Sequence, residues 1–402
     1  MKPVYLILTS YFPEPDSWRC AFVYDQVRAI ERTGKYRVVV VHTNYNGDYE
    51  YQGVKVWGFV SLKRGSVFLP HIIDCINFRS VVCCLRRANV DLSSIRVVHA
   101  HLSGNAAYAL KLKKAYPHIR ALVQFHDPDP YGTLLIGNWL NLFGLKRMFC
   151  YLRNRHYVES VDACIAISDN VAKVAIEFPR QKVYNTYAPM QKSMHQLRFM
   201  RSAKLNKVIR LHNGVDTDQF SRNGNGVRHD EFTIGCVGNF VDWKDQITLF
   251  RALGEIKNKL GRWTVRVIGS GSEKGKCIEE IENLDIQNNV IWEREVDHGL
   301  LPSFYRSLDL FVLPSYFEGF GCVFTEAHSC GTPFMTCKGQ GMDDMILDEE
   351  RDVWLCNEHD PSDLAKKIYQ FYLNRQEQRL KGKTDINSLI QEFLATVEGL
   401  SI

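Results

Sequence analysis

The feature that most constrains this chain is a rhythm of short apolar runs separated by helical segments, which fills the first half, breaks, and starts again. In the first half the runs are Val4–Ser10, Arg37–Asn44, Arg96–His101, Ala121–Asp127 and Ala163–Ser168, with helical patterns over Ala21–Thr33 and Asn105–Ala115. The second half repeats the rhythm at Phe232–Gly238, Thr264–Ser270, Asn289–Glu293, Asp309–Ser315 and Thr332–Cys337. A strand that is apolar along its whole length is buried on both faces, and crossover helices provide that cover in a parallel sheet. Two such rhythms predict two doubly wound α/β domains. The pattern breaks near Gly214, and Ser221–Glu231, rich in Gly, Asn and charge, reads as a linker. The expected division is 1–215 for an N-terminal Rossmann-like domain and 216–385 for a C-terminal one. Residues 386–402 then form a closing helix, with apolar spacing of three and four, that packs back toward the N-terminal domain. A length of 402 residues suits two cores better than one.

Bulk properties narrow the function. The hydrophobic share of 45% and charged share of 24% are those of an ordinary globular protein. A formal net charge of +5 permits an anionic partner such as a diphosphate, and lacks the clustered basic excess of a nucleic-acid binder. The 12 cysteines include no C-x-x-C pair, which predicts reduced, mostly buried thiols rather than a disulfide framework or zinc site. The opening MKPVYLILTS is too short for a signal peptide and reads as a first buried strand. No run reaches the roughly 18 apolar residues of a membrane span. The expected location is the cytoplasm.

The densest chemical signal is PSYFEGFGCVFTEAHSCGTP, from Pro314 to Pro333. A buried strand ends at Pro314, Glu318 follows in a loop, and a helix starts near Phe320–Cys322 and stops at Gly331. Gly319 and Gly321 remove side chains where backbone must approach a ligand closely. The helix start offers unpaired N–H groups to an anion or to sugar hydroxyls. Two isolated glutamates usually read as solvated acids. In this context Glu318 reads as a partner for sugar hydroxyls and Glu326 for a ribose diol, since a carboxylate accepts two hydrogen bonds.

This segment resembles the retaining glycosyltransferases of family 4, which have the GT-B fold and a Glu, seven residues, Glu signature in an E-G-F-G…E-A…G-T-P frame. DACIAIS (Asp162–Ser168), HNGVDTDQF (His212–Phe220) and VIGSGSE (Val267–Glu273, containing Gly269) match further landmarks in order. The resemblance implies two Rossmann-like domains closing over a nucleotide-sugar donor, transfer with retention, and donor contacts from Glu326, Gly319, Phe320, Gly321 and Gly269. It implies catalytic roles for Glu318, Lys244 and His126. Lys244 in GNFVDWKD stands where the family has a lysine beside the diphosphate, and a fixed cation there stabilises a leaving phosphate. Asn239 replaces the family's arginine, which removes a bidentate phosphate fork. His126 ends its strand with Asp129 three residues on, as in the family's H-x-x-D frame, and His99 and His101 end a neighbouring strand. The family's glycine-rich loop after the first strand is here SYFPEPDSWRCAFVYDQ, without glycines, where Arg19 can supply phosphate charge. In KGQGMDDM, Gly339 and Gly341 form either a tight loop by the nucleotide or a plain turn.

Two D-x-D triplets, Asp127–Asp129 and Asp216–Asp218, match the metal motif of the unrelated GT-A fold but not this chain's domain order. No essential metal or cofactor is expected. Residues 134–157 mix Trp, Leu and Phe with Lys146, Arg147, Arg153 and Arg155, and a second basic stretch runs from Arg180 to Arg210. The first pattern fits peripheral contact with the inner membrane face or a core-facing helix with a basic outer side. The partners implied are a nucleotide-sugar donor and a glycan or lipid-linked glycan of cell-envelope polysaccharide synthesis. The alternative is a weakly active or inactive donor-binding scaffold, motivated by Asn239 and the missing glycines; a metal-dependent GT-A-like transferase is the remaining rival.

Overall fold

The computed structural model describes residues 2–62, 70–126, 152–177, 203–226 and 230–400. The chain forms two compact units, Met1–Asn213 with Ile386–Ile402, and Gly214–Asp385.

The first unit is built on strands β1 (Val4–Thr9), β2 (Arg37–His42), β3 (Tyr49–Tyr51), β4 (Val54–Gly58), β5 (Ile95–His101), β6 (Arg120–Phe125), β7 (Ala163–Ala166) and β8 (Val208–Arg210). Their order in the sheet is β3-β4-β2-β1-β5-β6-β7-β8, and every pairing is parallel except β3 with β4. All six residues of β1 are buried, as a central strand covered on both faces requires. Helices α1 (Ala21–Arg32), α2 (Pro70–Arg87), α3 (Ala106–Ala115) and α4 (Asp169–Glu177) accompany it. Val23, Val27 and Ile30 of α1 share one cluster with Ile7, Val97 and Leu122 of the sheet. Ile390, Phe393, Leu394 and Val397 from near the end of the chain join the same cluster, so the closing helix completes the first unit's core.

The second unit contains β9 (Phe232–Val237), α5 (Gln246–Ile256), β10 (Trp263–Ile268), α6 (Lys274–Asn283), β11 (Val290–Glu293), α7 (Leu301–Arg306), β12 (Leu310–Val312), α8 (Cys322–Ser329), β13 (Phe334–Cys337), β14 (Leu355–Cys356) and α9 (Pro361–Asn374). The last helix, α10 (Ile386–Glu398), is the one just placed in the first unit. The sheet runs β11-β10-β9-β12-β13-β14 with parallel pairings throughout. Both units are therefore parallel α/β domains of Rossmann-like construction, the two halves of a GT-B fold.

One expectation is corrected. Ser221–Glu231 is no linker, because the chain changes unit at Asn213–Gly214 and the segment lies inside the second unit. Arg306, at the end of α7, holds it down: Nε donates to the Asn225 carbonyl at 3.0 Å and Nη1 to that of Ser221 at 3.0 Å. A Cβ on Gly226 would stand 2.6 Å from that of Arg306, so its glycines serve close packing. Among the described residues, no helix is long and apolar enough to cross a membrane.

Candidate functional site

In the second unit, the loops that follow β9, β10, β12 and β13 converge at the carboxyl end of the sheet, where doubly wound folds bind their ligands. The first two are locked together by backbone. Phe240 N–H donates to the Ser270 carbonyl at 2.8 Å, and Glu273 N–H donates back to the Phe240 carbonyl at 3.0 Å. Gly269, at φ +148°, lies so close that a Cβ would stand 2.0 Å from the Gly238 carbonyl oxygen. Its first role is thus to let two loops touch.

Lys244 ends a short 3-10 turn, Asp242–Lys244, and its ammonium pairs with the carboxylate of Glu318. Both side chains are mostly buried. Tyr316 fastens the same two loops, donating its hydroxyl to Asp242 and its N–H to the Trp243 carbonyl at 3.1 Å. Glu318 is tied to the fourth loop as well. Its N–H donates to Oε1 of Gln340 at 2.9 Å, and Gln340 Nε2 donates to Glu358 at 2.9 Å. A Cβ on Gly341 would stand 2.2 Å from the Gly319 carbonyl oxygen and 2.5 Å from the Phe320 Cα. Gly341 is therefore a close-approach glycine, whereas Gly339, at φ +75°, faces open space. Asn239 is exposed, and its carbonyl accepts from Gln246 Nε2 at 3.0 Å.

Gly321, at φ +89°, opens α8, and Phe320 is buried beside it. Four residues into α8, Glu326 is only 7% exposed. Both of its oxygens are engaged from within the fold: His298 Nε2 lies 3.0 Å from Oε1, and the Tyr305 hydroxyl donates to Oε2 at 2.9 Å. Burial and the Glu326 carboxylate push the Tyr305 hydroxyl well above its ordinary titration range. Each oxygen retains a second lone pair for an incoming hydroxyl.

The first unit carries the histidines. His126 follows the end of β6, and its Nε2 lies 2.7 Å from Nδ1 of His101 at the end of β5. The rings are nearly parallel, with centroids 4.9 Å apart. His99 stacks on the far side of His101 at 4.6 Å, and Phe22 of α1 packs on His126 at 4.9 Å. Burial pushes His99 and His126 down to about 3 and His101 well below its ordinary value. Arg19 sits exposed in the loop before α1. Asp127 and Asp129, and residues 134–157 up to Tyr151, lie outside the described residues. The second D-x-D triplet is a local turn: Asp218 N–H donates to Oδ1 of Asp216 at 3.1 Å, and Thr217 binds Asp385 at 3.0 Å.

Two family models match this architecture. Residues 217–384 match the glycosyl transferases group 1 model, and residues 21–188 match the glycosyltransferase family 4 model. The chain belongs to the family 4 glycosyltransferases. Curated relatives cover less of it. It is 30% identical over 178 residues to a D-inositol 3-phosphate glycosyltransferase of Catenulispora acidiphila, covering 40% of this chain and 42% of that protein. It is 27% identical to the GDP-mannose-dependent alpha-(1-6)-phosphatidylinositol monomannoside mannosyltransferase of Mycolicibacterium smegmatis, over 34% of this chain and 39% of that one. The chain thus spans less than half the length of these relatives. Among solved structures, the sucrose-phosphate synthase of Thermosynechococcus elongatus superposes with a TM-score of 0.66 at 15% identity, over 99% of this chain and 97% of that one. HepE of Anabaena in complex with UDP superposes at 0.65 and 15% identity over the full length of both. These two likenesses concern the fold.

Of the residues picked out by the family frame, the fold joins Lys244 to Glu318, places Gly319 and Phe320 against Gly341, and buries Glu326 beside its own partners. Gln340, His298 and Tyr305 were missed. Each acts through a contact distant in sequence, and neither spacing nor composition marks such a residue. A clue lay in GQG, since a polar residue between two glycines in a strand-end loop has a side chain free to reach a neighbouring loop.

Proposed function

We propose that this family 4 glycosyltransferase moves a hexosyl group from a nucleotide-diphosphate donor to a glycan or lipid-linked glycan, with retention of anomeric configuration. The observation that carries the reading is the Lys244–Glu318 pair at the carboxyl end of the second sheet, beside the glycine-flanked start of α8. A cation there matches the charge that grows on a departing diphosphate, and a carboxylate beside it accepts from sugar hydroxyls. Glu326 grips the ribose through its remaining lone pairs, and Gly319, Gly321 and Gly269 keep backbone close to the ligand. We also assign His126 a contact with the reacting sugar and Arg19 a phosphate charge.

In the front-face route, the bond from the anomeric carbon to the diphosphate oxygen breaks. The acceptor oxygen bonds to that carbon on the same face, and its proton passes to the departing diphosphate. Lys244 supplies the counter-charge, so the reading requires no essential metal. The mannosyltransferase and inositol phosphate glycosyltransferases among the relatives support a sugar-transfer role with polyol or lipid-linked acceptors. The setting proposed is cell-envelope polysaccharide synthesis at the inner membrane face, supported by the basic, aromatic composition of residues 134–157.

The test is thermal unfolding against UDP, GDP, ADP and CMP sugars with and without EDTA, followed by NMR of the product's anomeric centre. A donor at about 100 times its Kd stabilises the fold by roughly 2.7 kcal/mol. A shift with one nucleotide class, indifferent to EDTA, and a product of retained configuration support the reading. Binding without turnover favours a donor-binding scaffold, and a shift abolished by EDTA favours a metal-dependent transferase.

A further inference from the structure

The first unit holds a column of aromatic rings that the transfer scheme uses at one end only. Phe22, His126, His101 and His99 follow one another with centroids 4.9, 4.9 and 4.6 Å apart, and Phe393 of α10 closes the column on His99 at 5.8 Å. His101 is 0% and His99 1% exposed. Tyr5 reaches His99 Nδ1 at 2.9 Å. Of the three histidines, His126 is the one partly exposed.

One contact sets the chemistry. His101 Nδ1 and His126 Nε2 are 2.7 Å apart, the distance of a hydrogen bond, so one nitrogen carries the proton and the other accepts it. Burial disfavours the imidazolium form of both rings, so each keeps a single ring proton. The remaining nitrogens, His101 Nε2 and His126 Nδ1, have no hydrogen-bond partner among the described residues. If His101 donates from Nδ1, its Nε2 is bare and His126, accepting at Nε2, must carry its proton on Nδ1. If His126 donates from Nε2, its Nδ1 is bare and His101, accepting at Nδ1, must carry its proton on Nε2. Either way, the two rings share one tautomer, and neither changes without the other.

We propose that His101 is the positioning residue of His126: through the Nδ1–Nε2 hydrogen bond, made edge to edge between two rings whose planes differ by only 10°, it fixes both the orientation of the His126 ring and the nitrogen on which His126 carries its proton. His126 then meets a sugar as a group of one set polarity, donor or acceptor at Nδ1, and not as a base that titrates near neutrality. The catalytic meaning rests on the placement of His126 under the proposed function; the tautomer lock itself does not.

The experiment is long-range 15N–1H spectroscopy of the full chain with labelled histidine, on wild type, His101→Phe and His101→Asn, with melting temperatures beside it. Expected are two uncharged rings at pH 6 with the same tautomer in the wild type. His101→Phe, which keeps a flat ring and loses the nitrogen, changes the tautomer or the titration of His126. His101→Asn, whose amide can donate to Nε2 or accept from it, restores the wild-type tautomer of His126. With a donor and acceptor in hand, His101→Phe lowers kcat at least tenfold while KM for the nucleotide sugar stays within about threefold. Opposite tautomers in the wild type overturn the proposal, as does a His126 spectrum that His101→Phe leaves untouched. Should the Phe variant not fold, the wild-type tautomers decide alone. Loss of all transfer activity in the wild type, with matched tautomers intact, refutes the proposed function and leaves the lock standing.

Discussion

The ammonium of Lys244 is held on the carboxylate of Glu318, joining the loop after β9 to the loop after β12. Each ion is therefore oriented before any ligand arrives, which lowers the reorganisation that a developing charge would otherwise demand. Lys244→Ala is expected to lower kcat by roughly 10²–10³, the usual consequence of removing one preorganised electrostatic partner. Lys244→Arg should recover part of it, since charge is kept but the fit to Glu318 is not. Steady-state sugar transfer by both variants checks this; a Lys244→Ala enzyme with near-normal kcat would remove Lys244 from the mechanism.

Glu326 calls for a gentler substitution than alanine. Removing its carboxylate leaves the fully buried Tyr305 hydroxyl without the acceptor it now has, and takes one contact from the buried His298 ring. A buried polar group so stranded costs about 1–3 kcal/mol. Glu326→Ala is thus expected to lower Tm by several degrees with no nucleotide present, and its weaker binding would be ambiguous. Glu326→Gln keeps an acceptor for Tyr305. Its expected signature is a near-normal Tm with a reduced stabilisation by ribonucleotides, read by calorimetry with and without nucleoside diphosphate.

The alternation of strands and helices was plain in the sequence because burial on both faces forces a strand to be apolar throughout. β1, β2, β5, β6 and β9 lie within a residue or two of their expected bounds. The hairpin β3–β4 escaped notice because the edge strand β3 is only three residues long, Tyr49–Tyr51, and β4, Val54–Gly58, exposes Lys55 between buried Val54 and Val56, so neither makes a continuous apolar run. The segment Ser221–Glu231 misled for a related reason: glycine marks close packing as readily as flexibility, and only the position of Arg306 distinguishes them. In the site, Glu318, Glu326 and Lys244 were legible because they sit in a fixed frame along the chain. Their mutual pairing, and the parts played by Gln340, His298 and Tyr305, depend on which loops the sheet order brings together.

The two glycines of KGQGMDDM should separate cleanly. Gly341→Ala puts a methyl 2.2 Å from the Gly319 carbonyl, and the Glu318 loop must move to accept it. Overpacking of this kind costs about 1–3 kcal/mol, and the displaced loop should weaken stabilisation by nucleotide sugars. Gly339→Ala meets no atom and pays only for a left-handed backbone, about 1–2 kcal/mol. Losses of fold stability in the same range, with unequal losses of ligand-induced stabilisation, are expected from thermal shifts. If Gly339→Ala impairs binding as much as Gly341→Ala does, the two loops are not coupled through Gly341.

The buried histidines also set how the fold responds to acid. His99 is 1% exposed, and burial pushes it down to about 3, against about 6.5 in an unfolded chain. Between those two values the unfolded state binds a proton that the folded state refuses. Stability therefore rises with pH across this window and falls as the pH drops below 6.5, by about 1.4 kcal/mol per pH unit for one such histidine once well inside it. His101 adds to the same slope, because burial depresses it too. Denaturant midpoints at pH 7, 6 and 5 should fall steadily in the wild type. His99→Gln is expected to be less stable at pH 7, where Tyr5 loses its imidazole partner, yet to lose less on acidification. The difference between the two curves reports the proton that His99 refuses together with the smaller effect of its charge on His101 and His126, whose protonation it opposes. Curves that stay parallel from pH 7 to 5 would mean that His99 takes up its proton in the folded protein as readily as in the unfolded chain.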